Sequence, residues 1–267
     1  MILFTASGAL SAAFAKQYPC QIISARKLND AELTEKLKTA SVVIHNAALL
    51  QSNVLSEYIE ANYGLTKRIL DLTYKINPNV RFINVSSMSF LETADAYLPT
   101  EKMTDYAYSK YQAEQYCNEH PLSKKHKNVI NVRFSTLFYK DETRDGLSKL
   151  GFDAVHKKQI TLINNGIAKR DFMPLDIAAA YLKKLTTTNV LPIVINVASG
   201  KSLSFKYFSD LILKRDPSVK CLNLEQKTLN VLSDFPINAL KELGEIEFDM
   251  DLEFTKYLSR LAFQKTI

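Results

Sequence analysis

The feature that most constrains this chain is a rhythm in which short, unbroken apolar runs alternate with longer amphipathic ones. Ile2-Leu3-Phe4 is followed by a small-residue stretch from about Ala9 to Tyr18 and then by Gln21-Ile22-Ile23. Later runs are Val42-Val43-Ile44, Val80 to Val85, Val129 to Val132 and Ile193-Val194-Ile195. Helical patterns fill the gaps at roughly Asp30 to Lys38, Val54 to Lys75, Asp105 to Glu119 and Leu175 to Leu185. A strand that is apolar on both faces must be covered on both, and a parallel sheet with helical crossovers does this. The rhythm predicts an α/β protein with a doubly wound parallel sheet. From about Asp141 onward, loops and helices with fewer strands take over. Residues 1–140 are therefore expected to form the sheet domain, joined by a strand and a helix from 170–200, and residues 141–267 mainly a smaller C-terminal lobe. A chain of 267 residues with 46% hydrophobic residues can fill such a core.

Charge and cysteines narrow the setting. The net charge of +6 points to anionic partners, yet Lys124-Lys125-His126-Lys127 is the one basic run and reads as a solvated loop. A phosphate-bearing small ligand explains the balance as well as a polymer does, so no nucleic-acid partner is expected. Cys20, Cys117 and Cys221 are odd in number and far apart, which fits reduced thiols and no metal site. No apolar run reaches the ~18 residues of a membrane span, and the apolar N-terminus lacks the positive leader of a secretory signal. A cytoplasmic protein is the expectation.

The chemistry-bearing residues come next. Tyr106 and Lys110 stand four apart in a helical stretch, which puts a phenol and an ammonium on one face. A nearby cation favours the phenolate, so such a tyrosine is expected to exchange a proton with a substrate oxygen near neutrality. After the first strand comes Thr5-Ala6-Ser7-Gly8-Ala9-Leu10-Ser11, where a doubly wound fold places a phosphate-binding turn. Set against G-x-x-G-x-x-G it keeps only Gly8, and the Cβ of Thr5 threatens to crowd a pyrophosphate. The second strand is followed by Ser24-Ala25-Arg26-Lys27, with no acid to receive ribose hydroxyls and two cations to attract a 2′-phosphate. NADP(H) is favoured over NAD(H).

Together with further motifs these pieces resemble the extended short-chain dehydrogenase/reductase family, the nucleotide-sugar epimerase, dehydratase and ketoreductase group. Val42-Val43-Ile44-His45-Asn46-Ala47-Ala48 is similar to the family's strand and small-residue loop beneath the cofactor, with His45 read as a packed histidine. Glu60-Ala61-Asn62-Tyr63 resembles the helix whose asparagine supports the site. Phe82-Ile83-Asn84-Val85-Ser86-Ser87-Met88 resembles the strand that delivers the catalytic hydroxyl, with Ser87 at the position used. Val132-Arg133-Phe134 matches a later strand with Phe134 in place of a proline. Arg170-Asp171-Phe172 matches a signature opening a late helix, whose arginine often reaches the substrate diphosphate.

The resemblance implies a Rossmann fold with a small substrate-binding lobe and a nucleotide-diphosphate sugar as substrate. Ser87, Tyr106 and Lys110 would be catalytic, with Lys110 lowering the tyrosine pKa. The cofactor would lie against Thr5, Ser7, Gly8, Ala9, Leu10, Arg26, Asn46, Ala47, Ala48, Asn62, Val85, Tyr106, Lys110 and Arg133. Substrate would meet Ser87, Met88 and Arg170. The cofactor reading favours NADPH-dependent reduction of a keto group, on a 4-keto-6-deoxy sugar of surface-polysaccharide synthesis. An epimerase is the alternative, and a non-catalytic NADP-binding regulator is a third reading. A homodimer is expected through the helices at 54–75 and 105–119, where Leu65, Ile69 and Leu72 form an apolar stripe that would equally serve to cover the sheet. The short stretch from Lys27 to Ser41 leaves room for one strand fewer than the family has.

Overall fold

A computed structural model of the protein describes residues 1–93, 96–139, 145–189, 192–227, 240–241 and 243–264. The boundary expected at 140/141 lies outside these residues. Strands are numbered along the chain. The main sheet contains β1 (Ile2–Phe4), β2 (Gln21–Ile22), β3 (Val42–His45), β4 (Arg81–Ser87), β5 (Val129–Phe134) and β9 (Val194–Val197), in the order β2-β1-β3-β4-β5-β9. Every pairing is parallel. The order reverses at β1, and a crevice at the carboxyl ends of β1 and β3 is where such sheets hold ligands. Compared with the six-strand order 3-2-1-4-5-6 of dinucleotide-binding sheets, the strand beyond β2 is missing among the described residues. Helix Asp30–Lys38 runs directly into β3 instead.

Alternation along the strands divides two cores. Phe4, Ile44 and Ile83 pack with Phe14 and with Ala178 and Leu182, under helices Ala9–Ala15 and Leu175–Thr187. Leu3, Val43 and Phe82 pack with Leu33, Leu65 and Ile69 on the opposite face. Phe4, Phe14 and Phe82 are fully buried, each contributing roughly 1.5–3 kcal/mol by burial. Leu65, Ile69 and Leu70 are spent on covering the sheet, while Leu72 is only partly buried, so the apolar stripe of this helix belongs to the core.

The pattern from Val54 to Lys75 predicts an unbroken α-helix. The helix runs from Leu55 to Ile76, but Ile59–Gly64 is wound as a π-helix. That wider turn accompanies a fully buried Asn62, whose Oδ1 accepts from the Leu49 amide (2.6 Å) and whose Nδ2 donates to the Leu49 carbonyl (3.1 Å) and Ser109 Oγ (2.9 Å). Helix Asp30–Lys38 starts at a reciprocal cap: Asn29 Oδ1 accepts from the Glu32 amide, and Glu32 accepts from the Asn29 amide.

The second lobe holds more strand than the sequence led one to expect. β6 (Thr136–Phe138), β8 (Lys169–Pro174) and β10 (Ser202–Ser204) form a three-stranded sheet, and β7 (Gln159–Ile163) pairs in parallel with β11 (Lys220–Leu224). β6, β7, β10 and β11 are short edge strands, and β8, although central and mostly buried, opens on Lys169-Arg170-Asp171, so no long apolar run marks any of them. Helices Gly146–Lys157, Phe205–Arg215 and Met250–Gln264 close over Phe138, Phe172, Phe208 and Phe254. Arg170-Asp171-Phe172 lies on β8 and not at a helix start; the helix begins at Leu175, after Pro174. β8 is reached through Gly166, whose φ of +68° and a would-be Cβ 2.7 Å from the Lys206 amide both demand glycine.

Candidate active site

A cavity of about 940 Å³ opens at the carboxyl ends of β1, β3 and β4, with walls from both lobes. It lies near the upper end of the roughly 300–1,000 Å³ usual for small-molecule sites. Its floor is set by parallel register: Ser87, the last residue of β4, pairs with Phe134 at the end of β5. Helix Asp105–Glu119 packs on β4 and begins at Thr104, whose hydroxyl accepts from the Ala107 amide (3.2 Å). The first turns of this helix deliver Tyr106 and Lys110 to the same wall as Ser87.

Lys110 is 1% exposed, and its Nζ donates to the Val85 carbonyl at 2.6 Å. Burial lowers its pKa to about 8, so the ammonium still predominates at neutral pH. The expectation that Lys110 lowers the tyrosine pKa is not met. Burial pushes Tyr106 up to about 12, and the phenols of Tyr139 and Tyr58 add to the shift while the Ser87 hydroxyl opposes it. Lys110 instead spends its charge on a backbone carbonyl. Ser87 Oγ is held beside Ser89, donating to its hydroxyl (3.0 Å) and accepting from its amide (3.1 Å). Met88 is buried and lines the cavity.

The turn after β1 forms the other end of the cavity, where Thr5, Ser7, Gly8, Ala9 and Leu10 line the wall with Ala47 and Ala48. Side chains hold it in shape. Asn46 Oδ1 accepts from the Ala6 amide and Asn46 Nδ2 donates to the Ala6 carbonyl, both at 3.0 Å. Ser11, at the third glycine position, accepts from the Gly8 amide and donates back to the turn carbonyls. Thr5 does not crowd the turn, because its hydroxyl is turned down onto His45 Nδ1 at 2.8 Å. Gly8 is extended (φ −175°), and a Cβ there would meet no atom within 4 Å, so the glycine leaves open room on the cavity side. The amides of Ala9 and Leu10 open a helix and have no intrahelical carbonyl to donate to. A dinucleotide diphosphate fits this cradle. Arg26 and Lys27, exposed in a short turn after β2, line the same cavity. Its lining acids, Glu92 and Asp145, come from the loop after β4 and from the second lobe.

Two residues assigned to cofactor contact lie behind the wall. Asn62 bonds only to protein groups, as described above. Arg133 sits on β5 opposite Ser86, and both side chains turn to buried Glu114: Arg133 grips its carboxylate through Nε (3.0 Å) and a second guanidinium nitrogen (2.5 Å), and Ser86 Oγ donates to it at 2.6 Å. Arg133 also donates to Tyr97 (2.8 Å). Strand parity, which sequence alone did not settle, aims it at the helix. Arg170 lines the cavity, half-buried, with one nitrogen donating to the Lys169 carbonyl (2.8 Å). Asp171 does not pair with it; fully buried, it accepts from the Ser199 and Lys201 amides and the Ser199 hydroxyl. Tyr139 and Asp145 also line the cavity and were not singled out by sequence. Asp145 caps helix Gly146–Lys157 through the Leu147 and Ser148 amides, a role its Asp-Gly context signals.

Residues 4–198 match the model of the NAD dependent epimerase/dehydratase family. The chain belongs to that family. The match covers the main sheet from the end of β1 onward and the whole cavity wall, and it bears out the resemblance to extended short-chain dehydrogenase/reductases. No curated protein sequence matches the chain. Among solved structures, MoeE5 in complex with UDP-glucuronic acid and NAD is 16% identical with a TM-score of 0.82, covering 100% of this chain and 99% of that one. UDP-N-acetylglucosamine 4-epimerase from Methanobrevibacter ruminantium M1, in complex with UDP-N-acetylmuramic acid, is 17% identical (TM-score 0.81; 100% and 98% covered). TunA, an NAD-dependent NDP-hexosamine 5,6-dehydratase of tunicamycin biosynthesis, is 19% identical (TM-score 0.78; 99% and 97% covered). At these identities the likeness is one of fold. No described helix is long and apolar enough to cross a membrane.

Proposed function

We propose that this family member reduces a keto group on a nucleotide-linked sugar at the expense of NADPH, with a 4-keto-6-deoxy sugar as the substrate class. The observation that carries the reading is that Arg26 and Lys27 share one cavity with Ser87, Tyr106 and Lys110. Two cations on a turn that carries no carboxylate of its own favour a 2′-phosphate, and net reduction draws on the reduced NADP pool. Bound NADPH would supply the hydride for the carbonyl carbon. Tyr106, a neutral phenol over the working pH range, donates its proton to the carbonyl oxygen, and Ser87 stabilises that oxygen with a hydrogen bond. Lys110, from the same helix, would bring its charge to the nicotinamide ribose. Arg170 is placed on the second-lobe side of the cavity, where a substrate diphosphate would gain a charge-assisted bond.

An epimerase is the second reading, favoured by the epimerases among proteins of this fold. Incubation with NADPH or NADH and a panel of keto-sugar nucleotides, and in parallel with NAD+ and the corresponding hydroxy-sugar nucleotides, decides between them. Loss of nicotinamide absorbance with NADPH supports the reductase. Isomer interconversion with no net cofactor consumption would replace it with the epimerase, and binding without turnover would leave a non-catalytic dinucleotide binder. We further propose a homodimer through the outer sides of helices 55–76 and 105–119, where Lys67, Asp71 and Tyr116 form a hydrogen-bonded cluster. A monomer by light scattering at micromolar concentration would reject the dimer alone.

A further inference from the structure

Thr5 occupies the turn position where a glycine would let a diphosphate approach most closely. It is fully buried, its amide donates to the Ile44 carbonyl (3.1 Å) and its carbonyl accepts from the Ala25 amide (2.9 Å), so its backbone is fixed from both sides. Only the side chain has a choice. Its hydroxyl is committed to His45 Nδ1, a residue 40 positions away at the end of β3.

His45 is an expensive residue to keep there. It is completely buried, its ring lies over Phe82 at 6.2 Å, and Nε2 has no hydrogen-bond partner. Burial and the nearby charge of Lys110 push its pKa down to about 3, so it is a neutral imidazole at any working pH and does not act as a proton donor or acceptor at a substrate. An orphaned buried nitrogen is a standing cost that an apolar ring of similar shape would avoid. Among the described residues, the bond to Thr5 is the one hydrogen bond its ring makes.

We propose that His45 is a positioning residue for the cofactor diphosphate: it tethers the Thr5 hydroxyl beneath the turn between β1 and helix Ala9–Ala15, so that a branched residue can stand where a glycine would otherwise be required. Without the tether the hydroxyl, buried and unpaired, rotates toward the polar groups of the turn, and the hydroxyl or the methyl enters the space on the cavity side. The inference rests on the dinucleotide reading of the cavity. Titration calorimetry of the intact protein with NADPH tests both, and the wild type is measured first. A wild type that binds neither NADPH nor NADH would overturn the dinucleotide reading and the tether with it.

With binding established, His45→Phe keeps the ring and removes both nitrogens. Its NADPH Kd should rise about tenfold, the worth of one displaced hydrogen-bonded contact, while its melting temperature falls by no more than a few degrees because the orphan nitrogen is also gone. In a Thr5→Gly background the same His45→Phe change should cost less than about threefold, since no side chain remains to be held. An unchanged Kd in His45→Phe, or an equal loss in both backgrounds, overturns the tether. If His45→Phe fails to fold, Thr5→Val serves instead: it keeps the branch without the hydroxyl and should weaken NADPH several-fold, and an unchanged Kd again sinks the idea.

Discussion

The two ends of the cavity are built by different means. At the end proposed to be catalytic, Ser87, Tyr106 and Lys110 are set by regular elements: the carboxyl end of a central strand and one turn of a capped helix. At the end proposed for the cofactor phosphates the backbone turn keeps one glycine, and its shape is maintained by cross-links from Asn46, Ser11 and His45. The contrast teaches that a site can lose its sequence signature where polar side chains hold the backbone, but not where the reacting groups themselves stand. The catalytic end should therefore answer to mutation in rate, and the phosphate end in binding.

The largest effect is expected from Tyr106→Phe, which should lower turnover by about two to four orders of magnitude with NADPH affinity retained. Near-normal steady-state turnover would take the phenol out of the mechanism and collapse the contrast from the catalytic side. Lys110→Met should reduce turnover by at least about a hundredfold and weaken NADPH as well. It also has a signature in stability. Lys110 in the unfolded chain is charged up to its ordinary 10.5, but in the folded protein only up to about 8. The cost of burying the charge is thus full below pH 8 and fades as pH rises from 8 to 10.5. Melting curves should show Lys110→Met gaining on the wild type at pH 7, by on the order of 2–3 kcal/mol less the lost Val85 bond, with the gain shrinking toward pH 10. A gap independent of pH would mean the ammonium is not buried.

Arg26→Asp probes the binding end. Exchanging attraction for repulsion near a 2′-phosphate should cut the NADPH/NADH preference at least about tenfold, read as the ratio of kcat/KM values. A constant ratio would show that Arg26 merely faces solvent. Arg170→Ala tests the second-lobe wall and should raise substrate KM about tenfold while leaving the NADPH Kd alone. A lower melting temperature at unchanged KM would make Arg170 a structural residue of β8.

Much of the fold was legible because it rests on local periodicity. β1 falls on Ile2-Leu3-Phe4, helix Asp30–Lys38 has its predicted bounds, and helix Asp105–Glu119 carries Tyr106 and Lys110 as its spacing required. The lobe strands β6, β7, β10 and β11 were missed because strands of three to five residues at a sheet edge leave no run of apolar residues to detect. Asn62 and Arg133 illustrate a different limit. Each was named from its place in a motif, and each turns its polar group to a buried partner behind the wall, Ser109 in one case and Glu114 in the other.

Sequence by itself determined the layers of this protein, the order of its motifs and the residues that can move a proton, since these depend on neighbours within a turn or a strand. Only the tertiary structure decided how the phosphate end is held together. The bonds Thr5 to His45 and Ala6 to Asn46 each join residues 40 positions apart, brought side by side because β1 pairs with β3. No local pattern encodes a hydrogen bond between adjacent strands separated by two helices. The direction of each side chain there is fixed by register and by the cost of leaving a buried polar group unpaired.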